Sequence, residues 1–358
     1  MSPRLEAEHL FKVFGRRPDD AVERLRRGAD RAELRVDGAT AAVIDASFRV
    51  EAGEIFVVMG LSGSGKSTLL RMLNGLLEPT AGSVRFDGQD LTALGDRALR
   101  ELRSRKISMV FQHFALFPHR SVRDNAAYGL EVQGVPRAER ERRADEALAL
   151  CGLAGWESSW PDELSGGMQQ RVGLARALAT DADLLLMDES FSALDPLIRR
   201  DMQDQLLELQ KTLKKTIVFI THDLNEAMRL GDRVAIMRDG RIVQTGTAED
   251  ILLRPANDYV ASFIQDVDRS RVLTAGALMD TSVTADAPLC GCETATRETP
   301  FTQLCALSAR LSHRVSVVDG AGRVVGVVRR QRLLGFLGDE TAAPVVCDNP
   351  EGKVISHA

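Results

Sequence analysis

The chain has 358 residues, enough for two domains with separate cores, and its 44% hydrophobic and 27% charged residues are ordinary for a globular protein. Its formal net charge of −5 argues against a general nucleic-acid binder, which normally carries a basic excess. No apolar run approaches the roughly 20 residues of a membrane-spanning helix, and the first residues lack an apolar signal core.

The first part of the chain predicts strands on either side of a charged segment. Strands are expected over residues 4–14, 43–50 and 55–59, the first at the edge of a sheet. A short amphipathic helix is expected within 16–38, because apolar residues recur there at helical spacing.

The turn after the third strand has the P-loop pattern Gly-x-x-x-x-Gly-Lys-Ser. Its glycines can turn successive N–H groups toward one point, and the following helix adds free N–H groups and the positive end of its dipole. Such a site binds phosphates, with Lys66 reaching the β- and γ-phosphates and the Ser67 hydroxyl ligating Mg²⁺. A glycine-rich turn without a nucleotide is the alternative. The residues expected to bind the nucleotide here are Gly60, Ser62, Gly63, Ser64, Gly65, Lys66, Ser67 and Thr68.

Beyond this turn, strands alternate with helices. Further strands are expected over 82–88, 107–110, 184–187, 217–220 and 234–237. From Ser121 to about Trp160 the pattern is helical and lacks strands. The alternation indicates an α/β sheet with parallel strands and helical crossovers, interrupted by an all-helical insertion.

Two carboxylates directly follow the apolar run 184–187. A strand buried on both faces delivers them at its carboxyl end, where ligands of open α/β sheets bind. Asp188 is expected to hold Mg²⁺ opposite Ser67, directly or through water. Glu189 is placed to take a proton from attacking water, and a positioned general base contributes roughly 10²–10⁴-fold in rate. The alternative is that both carboxylates are turn residues.

A second glycine motif, Leu164-Ser165-Gly166-Gly167-x-Gln, opens another helix and makes a second anion-binding nest. This motif resembles the signature sequence of the ATP-binding cassette (ABC) family, and the resemblance covers residues 4–265. In that family two cassettes pair head to tail, and each signature covers the γ-phosphate held by the other subunit's P-loop. A helix cap alone is the alternative, and it would not explain both glycines.

The resemblance assigns roles to further residues. Gln112 matches the loop glutamine that contacts Mg²⁺ and water, and His222 matches the histidine that contacts the γ-phosphate. Asp195 ends a loop, residues 192–195, that meets the partner subunit. Phe14 matches the aromatic residue on which adenine stacks, although Phe11 is close by and either could be core. The expected catalytic set is Glu189, His222, Lys66 and Gln112.

The resemblance implies a P-loop NTPase core of the RecA-like kind, with an antiparallel β edge and a helical subdomain inserted over about 121–175. Residues 1–267 would form this ATP-binding domain. Ser190 stands where the family usually has a small apolar residue or proline, and we expect no loss of activity from it.

Within the family, the chain looks like the ATPase subunits of importers for quaternary amines such as glycine betaine, choline or proline betaine. Leu61, the charged segment 16–38, the run 191–199 and the segment 257–260 carry this likeness. None of these residues touches the transported solute in the family, so resemblance alone implies the cargo.

Such a subunit implies ATP and Mg²⁺, a homodimer of ATPase subunits and integral membrane permease subunits. An extracytoplasmic substrate-binding protein would be an indirect partner, and no nucleic acid is expected. The subunit would be peripheral, at the cytoplasmic face of the inner membrane. The apolar run 114–117 beside Gln112 is a candidate groove for a short permease helix, and packing inside the helical insertion is the alternative.

The pattern changes from about residue 268. Residues 314–328 predict two strands joined by a Gly-containing turn, and 330–337 predict a helix. This resembles a cystathionine-β-synthase-type (CBS) regulatory motif, and a degenerate or truncated pair is expected over 268–340. Residues 341–358 lack periodicity and are expected to be flexible.

The five cysteines are scattered and odd in number, which favours reduced thiols in the cytosol over a disulfide framework. Cys290 and Cys292 could form a redox or metal pair, although no partner pair stands at ligand spacing.

Two other functions compete with transport. A soluble cassette ATPase that acts on nucleic acid or ribosomes usually carries two cassettes or a long coiled-coil insertion, and this chain has neither. A regulatory protein gated by nucleotide, with incidental hydrolysis, is disfavoured because Glu189 and His222 are both present.

Overall fold

The computed structural model describes residues 4–112, 115–265, 267–282, 293–310 and 314–336. The chain divides into two compact units, residues 1–267 and residues 268–358. In the described ranges no helix is both long and apolar enough to cross a membrane. Some residues named from the sequence lie outside these ranges, namely Phe114, Cys290, Cys292, Cys347 and the segment 341–358.

The first unit contains two sheets and a group of helices. Its strands are β1 (Leu5–Gly15), β2 (Ala39–Val50), β3 (Ile55–Met59), β4 (Ala81–Phe86), β5 (Gln89–Asp90), β6 (Ile107–Val110), β7 (Leu184–Asp188), β8 (Thr216–Thr221), β9 (Arg233–Arg238) and β10 (Arg241–Gly246). Its helices are α1 (Pro18–Arg26), α2 (Arg31–Val36), α3 (Lys66–Leu73), α4 (Asp96–Lys106), α5 (Val122–Val132), α6 (Arg137–Leu150), α7 (Gly166–Ala179), α8 (Pro196–Leu213), α9 (Leu224–Leu230), α10 (Ala248–Leu253) and α11 (Asp258–Phe263).

The antiparallel sheet has the strand order β2-β1-β4-β5. The prediction that the first strand lies at a sheet edge is therefore wrong, because β1 pairs with β2 on one side and β4 on the other. Leu5, for example, lies opposite both Val50 and Phe86. In an antiparallel sheet with one buried face, internal and edge strands show the same alternation, so the sequence pattern could not distinguish them.

The charged segment 16–38 forms two short helices, where the sequence predicted one. The second helix, α2, begins after Asp30, whose side chain accepts a hydrogen bond from the backbone N–H of Glu33. Val22 and Leu25 of α1 and Leu34 of α2 are buried in a small cluster against β1 and β2. Apolar burial thus attaches the segment to the antiparallel sheet despite its charge.

The second sheet has the order β10-β9-β3-β8-β7-β6, in which only the edge strand β10 is antiparallel. Its central strands are fully buried, as expected for a parallel sheet covered on both faces. Met59 lies opposite Thr221, and Asp188 lies opposite Ile220. The carboxyl ends of β3, β8 and β7 therefore lie side by side along one edge.

The helical insertion is built from α5, α6 and α7, and it begins where the sequence predicted but ends at Ala179, slightly beyond the predicted residue 175. Asn125 joins α5 to the preceding loop, since its side chain accepts from the N–H of Phe117 and donates to the carbonyl oxygens of Phe117 and Arg120. Cys151, just after α6, is fully buried, and this burial raises the pKa of its thiol to about 12. Such a thiol stays protonated and unreactive.

The second unit contains α12 (Ala275–Leu278), α13 (Phe301–Arg310), β11 (Val315–Val318), β12 (Val324–Val328) and α14 (Arg330–Leu334). The strands β11 and β12 form an antiparallel pair, and α14 follows, as the sequence predicted. Ala295 forms a parallel bridge with Val317, so a short extended segment, α13, β11, β12 and α14 follow one another in chain order. The identification of this unit as CBS-like stays a prediction.

The main core lies between the two sheets, and Phe56 of β3 stacks on Phe48 of β2 with ring centroids 4.9 Å apart.

We expect Phe56→Ala to lower the free energy of unfolding by about 3–5 kcal/mol, because it leaves a cavity in this core. Guanidinium unfolding followed by the fluorescence of Trp156 and Trp160 measures the change. As a control, Val36→Ala, at a side chain 88% exposed, should change stability by less than about 0.5 kcal/mol. Equal effects of the two substitutions would contradict this description of the core.

Candidate functional site

The predicted site residues converge at the carboxyl edge of the parallel sheet. The P-loop follows β3, Asp188 ends β7 with Glu189 directly after it, and His222 follows β8. Gln112 follows β6, whose last residue, Val110, lies opposite Met187 of β7. Adjacent strands in parallel register thus bring together residues that are far apart in sequence.

The P-loop passes close to neighbouring backbone at two of its glycines. A Cβ atom at Gly60 would lie 2.2 Å from the carbonyl oxygen of Met237, and one at Gly65 would lie 2.2 Å from that of Ala42. Gly65 also has a φ of 104°, which L side chains rarely adopt. These positions require glycine because of their surroundings, in addition to any need for close approach to a phosphate.

Lys66 begins helix α3 and is buried. Its Nζ donates to the carbonyl oxygen of Gly60 at 2.8 Å and lies 3.7 Å from Oε1 of Glu189. Burial lowers the pKa of this lysine, and the nearby carboxylates Glu189 and Asp188 partly offset the effect. The positive charge is therefore held next to the glycine turn by short contacts with the loop and the carboxylate.

Ser67 and Asp188 are joined directly across the site. The Ser67 hydroxyl donates to Oδ1 of Asp188 at 3.0 Å. Burial raises the pKa of Asp188, while this hydrogen bond lowers it and the neighbouring Glu189 raises it further. A positive ion between these groups would relieve the electrostatic cost of the buried carboxylate.

The oxygen donors of Ser67 and Asp188 suit Mg²⁺ better than a metal ion whose ligands all come from the protein. Within the described ranges, no cluster of three His, Cys, Asp or Glu side chains is placed to hold a metal. A hydroxyl and one or two carboxylates suit Mg²⁺, which usually completes its octahedral shell with water and substrate phosphates.

Glu189 and His222 form the other side of the site. Nδ1 of His222 lies 3.0 Å from Oε2 of Glu189, and the imidazole is exposed. Glu189 has a φ of 45°, in the left-handed region, which is uncommon for a residue with a side chain. Its backbone N–H donates to the carbonyl oxygen of Ile220 on β8. The strained backbone aims this carboxylate toward both Lys66 and His222.

Gln112 reaches Glu189 through Ser192. Its Nε2 donates to the Ser192 hydroxyl at 3.2 Å, and that hydroxyl donates to the carbonyl oxygen of Glu189 at 2.8 Å. The N–H of Ser192 donates to the same carbonyl. The loop glutamine is therefore connected to the backbone of the expected general base.

The signature motif lies at the start of helix α7. Ser165 is the N-cap, and its hydroxyl accepts a hydrogen bond from the N–H of Met168. Ser165 and Gly166 are exposed. A Cβ atom at Gly167 would lie 2.5 Å from Cγ2 of Ile198, so this glycine allows α7 to approach the first turn of α8 closely. Helix capping accounts for Ser165, and close packing against α8 accounts for Gly167. Neither accounts for Gly166.

Asp195 is the N-cap of helix α8 and accepts hydrogen bonds through Oδ1 from the N–H groups of Leu197 and Ile198. It is exposed, as is Ala193 before it. The 192–195 loop therefore presents a fixed, accessible surface, and its contact with a partner subunit remains a prediction.

The structure separates the two aromatic candidates near the amino end. Phe14 is 43% exposed, whereas Phe11 is buried in the cluster under the segment 16–38. Nζ of Lys12 lies 5.3 Å from the centroid of the Phe14 ring. Phe14 is thus available for stacking, and Phe11 is a core residue. Thr68 is half-buried, and Ser62 and Gly63 are exposed.

The candidate permease groove is described only in part, because Phe114 lies outside the described residues. Phe117 is half-buried and packs on Tyr128 of α5, with ring centroids 4.7 Å apart. Arg120 lies over both rings. For Phe117, this packing favours the alternative of a contact inside the helical insertion.

Sequence reasoning missed one functional candidate, Arg199 on α8. Its guanidinium contacts the carboxylate of Asp223 and the carbonyl oxygens of Phe191 and Leu194. In the sequence, Arg199 ends the run 191–199 that carries the family likeness, and it lies four residues after Asp195. That spacing is too common to point to such a role.

A family model described as ABC transporter matches residues 43–192. The chain is 58% identical over 277 residues to the glycine betaine transport ATP-binding protein OpuAA of Bacillus subtilis (strain 168). That match covers 77% of this chain and 66% of the relative. This chain is also 46% identical over 336 residues to the trimethylamine N-oxide transport system ATP-binding protein TmoW of Ruegeria pomeroyi. That match covers 94% of this chain and 97% of TmoW.

The fold is similar to that of a solved ABC cassette, the dimeric post-hydrolysis state of the ATP-binding cassette MJ0796 bound to ADP and Pi. The TM-score is 0.58 at 30% identity, and the match covers 68% of this chain and 98% of the cassette. The predicted cassette fold, a P-loop NTPase core with an inserted helical subdomain, is therefore confirmed.

Two serines that follow Glu189 in the chain, Ser190 and Ser192, differ in their hydrogen-bond partners. Ser190 is fully buried, and no described residue pairs with its hydroxyl. An unpaired buried hydroxyl costs about 1–3 kcal/mol, so we expect Ser190→Ala to stabilise the chain by up to this amount with no loss of ATPase activity. Ser192→Ala removes a bonded hydroxyl from the same loop and should destabilise the chain by about 0.5–1.5 kcal/mol. Chemical denaturation of both variants measures the contrast, and destabilisation by Ser190→Ala would contradict it.

Proposed function

This chain belongs to the ABC transporter family, and we propose that it is the ATP-hydrolysing subunit of an importer for a quaternary or related fully substituted amine. The observation that carries hydrolysis is the meeting of Lys66, Glu189 and His222 at one edge of the sheet. A cation, a carboxylate and an imidazole within contact distance can bind a phosphate, activate water and stabilise charge.

The residues divide the work as follows. The P-loop backbone and Lys66 bind the β- and γ-phosphates of ATP, and Phe14 stacks on the base. Glu189 accepts a proton from the attacking water, while His222 and Lys66 stabilise the charge that develops on the γ-phosphate. Gln112 orients water and is held beside Glu189 by Ser192. Mg²⁺, held by Ser67 and Asp188 with Gln112 nearby, would neutralise the phosphate charge.

The working unit would be a pair of these chains. Ser165, Gly166 and Gly167 of one copy would cover the triphosphate bound by the P-loop of the other, and the 192–195 loop with Asp195 would line the same interface. The exposure of Ser165 and Gly166 supports this, because a helix start with free N–H groups is suited to an anion. The similarity to a cassette described as dimeric also supports it.

Hydrolysis would act on integral membrane permease subunits, with the ATPase peripheral at the cytoplasmic face of the inner membrane. A substrate-binding protein outside the cytoplasm would deliver the solute to the permease. The names of the relatives, which include glycine betaine and trimethylamine N-oxide, support a small amine as cargo. The match to TmoW supports this most broadly, because it extends over nearly the whole of both chains. The unit from Asp268 onward would be a CBS-like regulatory domain.

The general-base role predicts that Glu189→Gln binds ATP but hydrolyses it at least about 100-fold more slowly, since a positioned base contributes roughly 10²–10⁴-fold. Phosphate release measures hydrolysis, and a fluorescent ATP analogue measures binding. Glu51→Gln, at an exposed glutamate in the turn between β2 and β3, is the control and should keep wild-type turnover. Hydrolysis at wild-type speed by Glu189→Gln would overturn the assignment.

The composite site predicts that Glu189→Gln protein dimerises when ATP and Mg²⁺ are added. Adding Ser165→Asp should prevent this, because aspartate keeps the helix cap but places a negative charge against the partner's triphosphate. Asparagine has the size and capping ability of aspartate but no charge, so Ser165→Asn should weaken dimerisation much less. Analytical ultracentrifugation distinguishes these outcomes. Equal dimerisation of the Asp and Asn variants would contradict the proposed contact between Ser165 and the partner's triphosphate.

A further inference from the structure

Arg199 binds the loop that precedes its own helix. It lies in the first turns of α8 and is half-buried. Its Nε donates to the carbonyl oxygen of Phe191 at 3.2 Å, and its Nη2 donates to those of Leu194 at 3.0 Å and Ser192 at 3.4 Å. One guanidinium thus holds the backbone of the 192–195 loop and of the residue before it.

The same guanidinium also binds the residue after His222. Nη1 of Arg199 lies 3.2 Å from Oδ2 of Asp223. The other carboxylate oxygen of Asp223 accepts the N–H of Glu226, so Asp223 is also the N-cap of α9. The position of His222 at the end of β8 is therefore connected to α8 through its neighbour.

A second bridge between α8 and α9 lies one turn further along. Nε2 of Gln203 donates to Oε1 of Glu226 at 3.1 Å, and both side chains are buried. Burial raises the pKa of Glu226. Because residues 199 and 203 lie on one face of α8, the two bridges attach that face to the start of α9 at successive turns.

These contacts form a closed circuit that includes the expected general base. Ser192 donates to the carbonyl oxygen of Glu189, Arg199 binds the carbonyl oxygen of Ser192, and Asp223 links Arg199 to the backbone of His222. His222 in turn contacts the carboxylate of Glu189. The circuit therefore joins a loop surface that faces outward to the two side chains that would act on water and phosphate.

We propose that Arg199 is a positioning residue that couples the 192–195 loop to His222, so that a partner copy seated on the loop sets the position of His222 in this chain. The inference rests on the proposed function, since it assumes that two copies meet at this loop. Arginine is suited to the role because its planar fork has donors in several fixed directions, whereas a lysine ammonium is a single point charge.

The test compares Arg199→Lys and Asp223→Asn with Arg200→Ala. Asparagine keeps the helix cap at position 223 but weakens the ion pair. Arg200 is exposed on the same helix, and no described residue accepts a hydrogen bond from it, so Arg200→Ala changes the charge of α8 by one unit without touching the bridge. Turnover should fall about tenfold or more for the first two variants, since a small displacement of a catalytic group can cost up to about 10²-fold. ATP affinity should stay within about twofold, because the P-loop is unchanged.

The double variant Arg199→Lys/Asp223→Asn should be no slower than the worse single variant, because both remove one coupling. Turnover of Arg199→Lys equal to that of Arg200→Ala would overturn the proposal. So would losses that simply multiply in the double variant. If Arg199→Lys fails to fold, Asp223→Asn decides the question through the same measurements.

Hydrogen exchange gives a readout that does not depend on turnover. In Glu189→Gln protein with ATP and Mg²⁺, Arg199→Lys should speed exchange in residues 191–195 and in residues 221–224 together, and Arg200→Ala should affect neither. Faster exchange in 191–195 alone would mean that Arg199 only holds its own loop, and would overturn the coupling. If the wild-type chain does not hydrolyse ATP, the proposed function fails, and the exchange comparison still decides whether Arg199 couples the two segments.

Discussion

Parallel register between neighbouring strands is the constraint on which the site depends. Because β8 lies between β3 and β7 with Met59 opposite Thr221 and Ile220 opposite Asp188, three chain segments leave the sheet at one edge. Each segment carries a different chemical group, an ammonium, a carboxylate pair or an imidazole. A change in register would move these groups apart by a whole residue, and the buried strands on both sides oppose such a change.

Burying charged groups at the site costs free energy, and contacts with neighbouring residues offset part of that cost. Lys66 is buried between the P-loop carbonyl groups and the carboxylates, and burial moves the pKa values of Lys66 and Asp188 in the directions that disfavour charge. Glu189 adds a left-handed backbone conformation. Such features persist only where surrounding contacts maintain them. Here Ser192 donates a hydrogen bond to the carbonyl oxygen of Glu189, and the N–H of Glu189 donates one to the carbonyl oxygen of Ile220.

Much of this arrangement could be predicted from residue order alone. The P-loop, the carboxylate pair after 184–187 and the helical insertion follow from local patterns, and their convergence follows from the rule that ligands bind at the carboxyl ends of parallel strands. What the sequence could not provide was pairing within the antiparallel sheet, where β1 looks like an edge strand but is internal. It also could not reveal Arg199, because that role depends on the tertiary meeting of α8 and α9. Local patterns contain no information about such contacts between distant segments.

Phe14 has a consequence for which nucleoside triphosphate the protein consumes. Its ring lies on the surface at the end of β1, with the ammonium of Lys12 close to one side. An aromatic platform contacts the flat face of a base and leaves the hydrogen-bonding edge unread, so it stacks with guanine as readily as with adenine. If this ring is the base contact, it would not itself select ATP over GTP, and any preference would depend on other contacts to the base or on the relative supply of the two nucleotides in the cell.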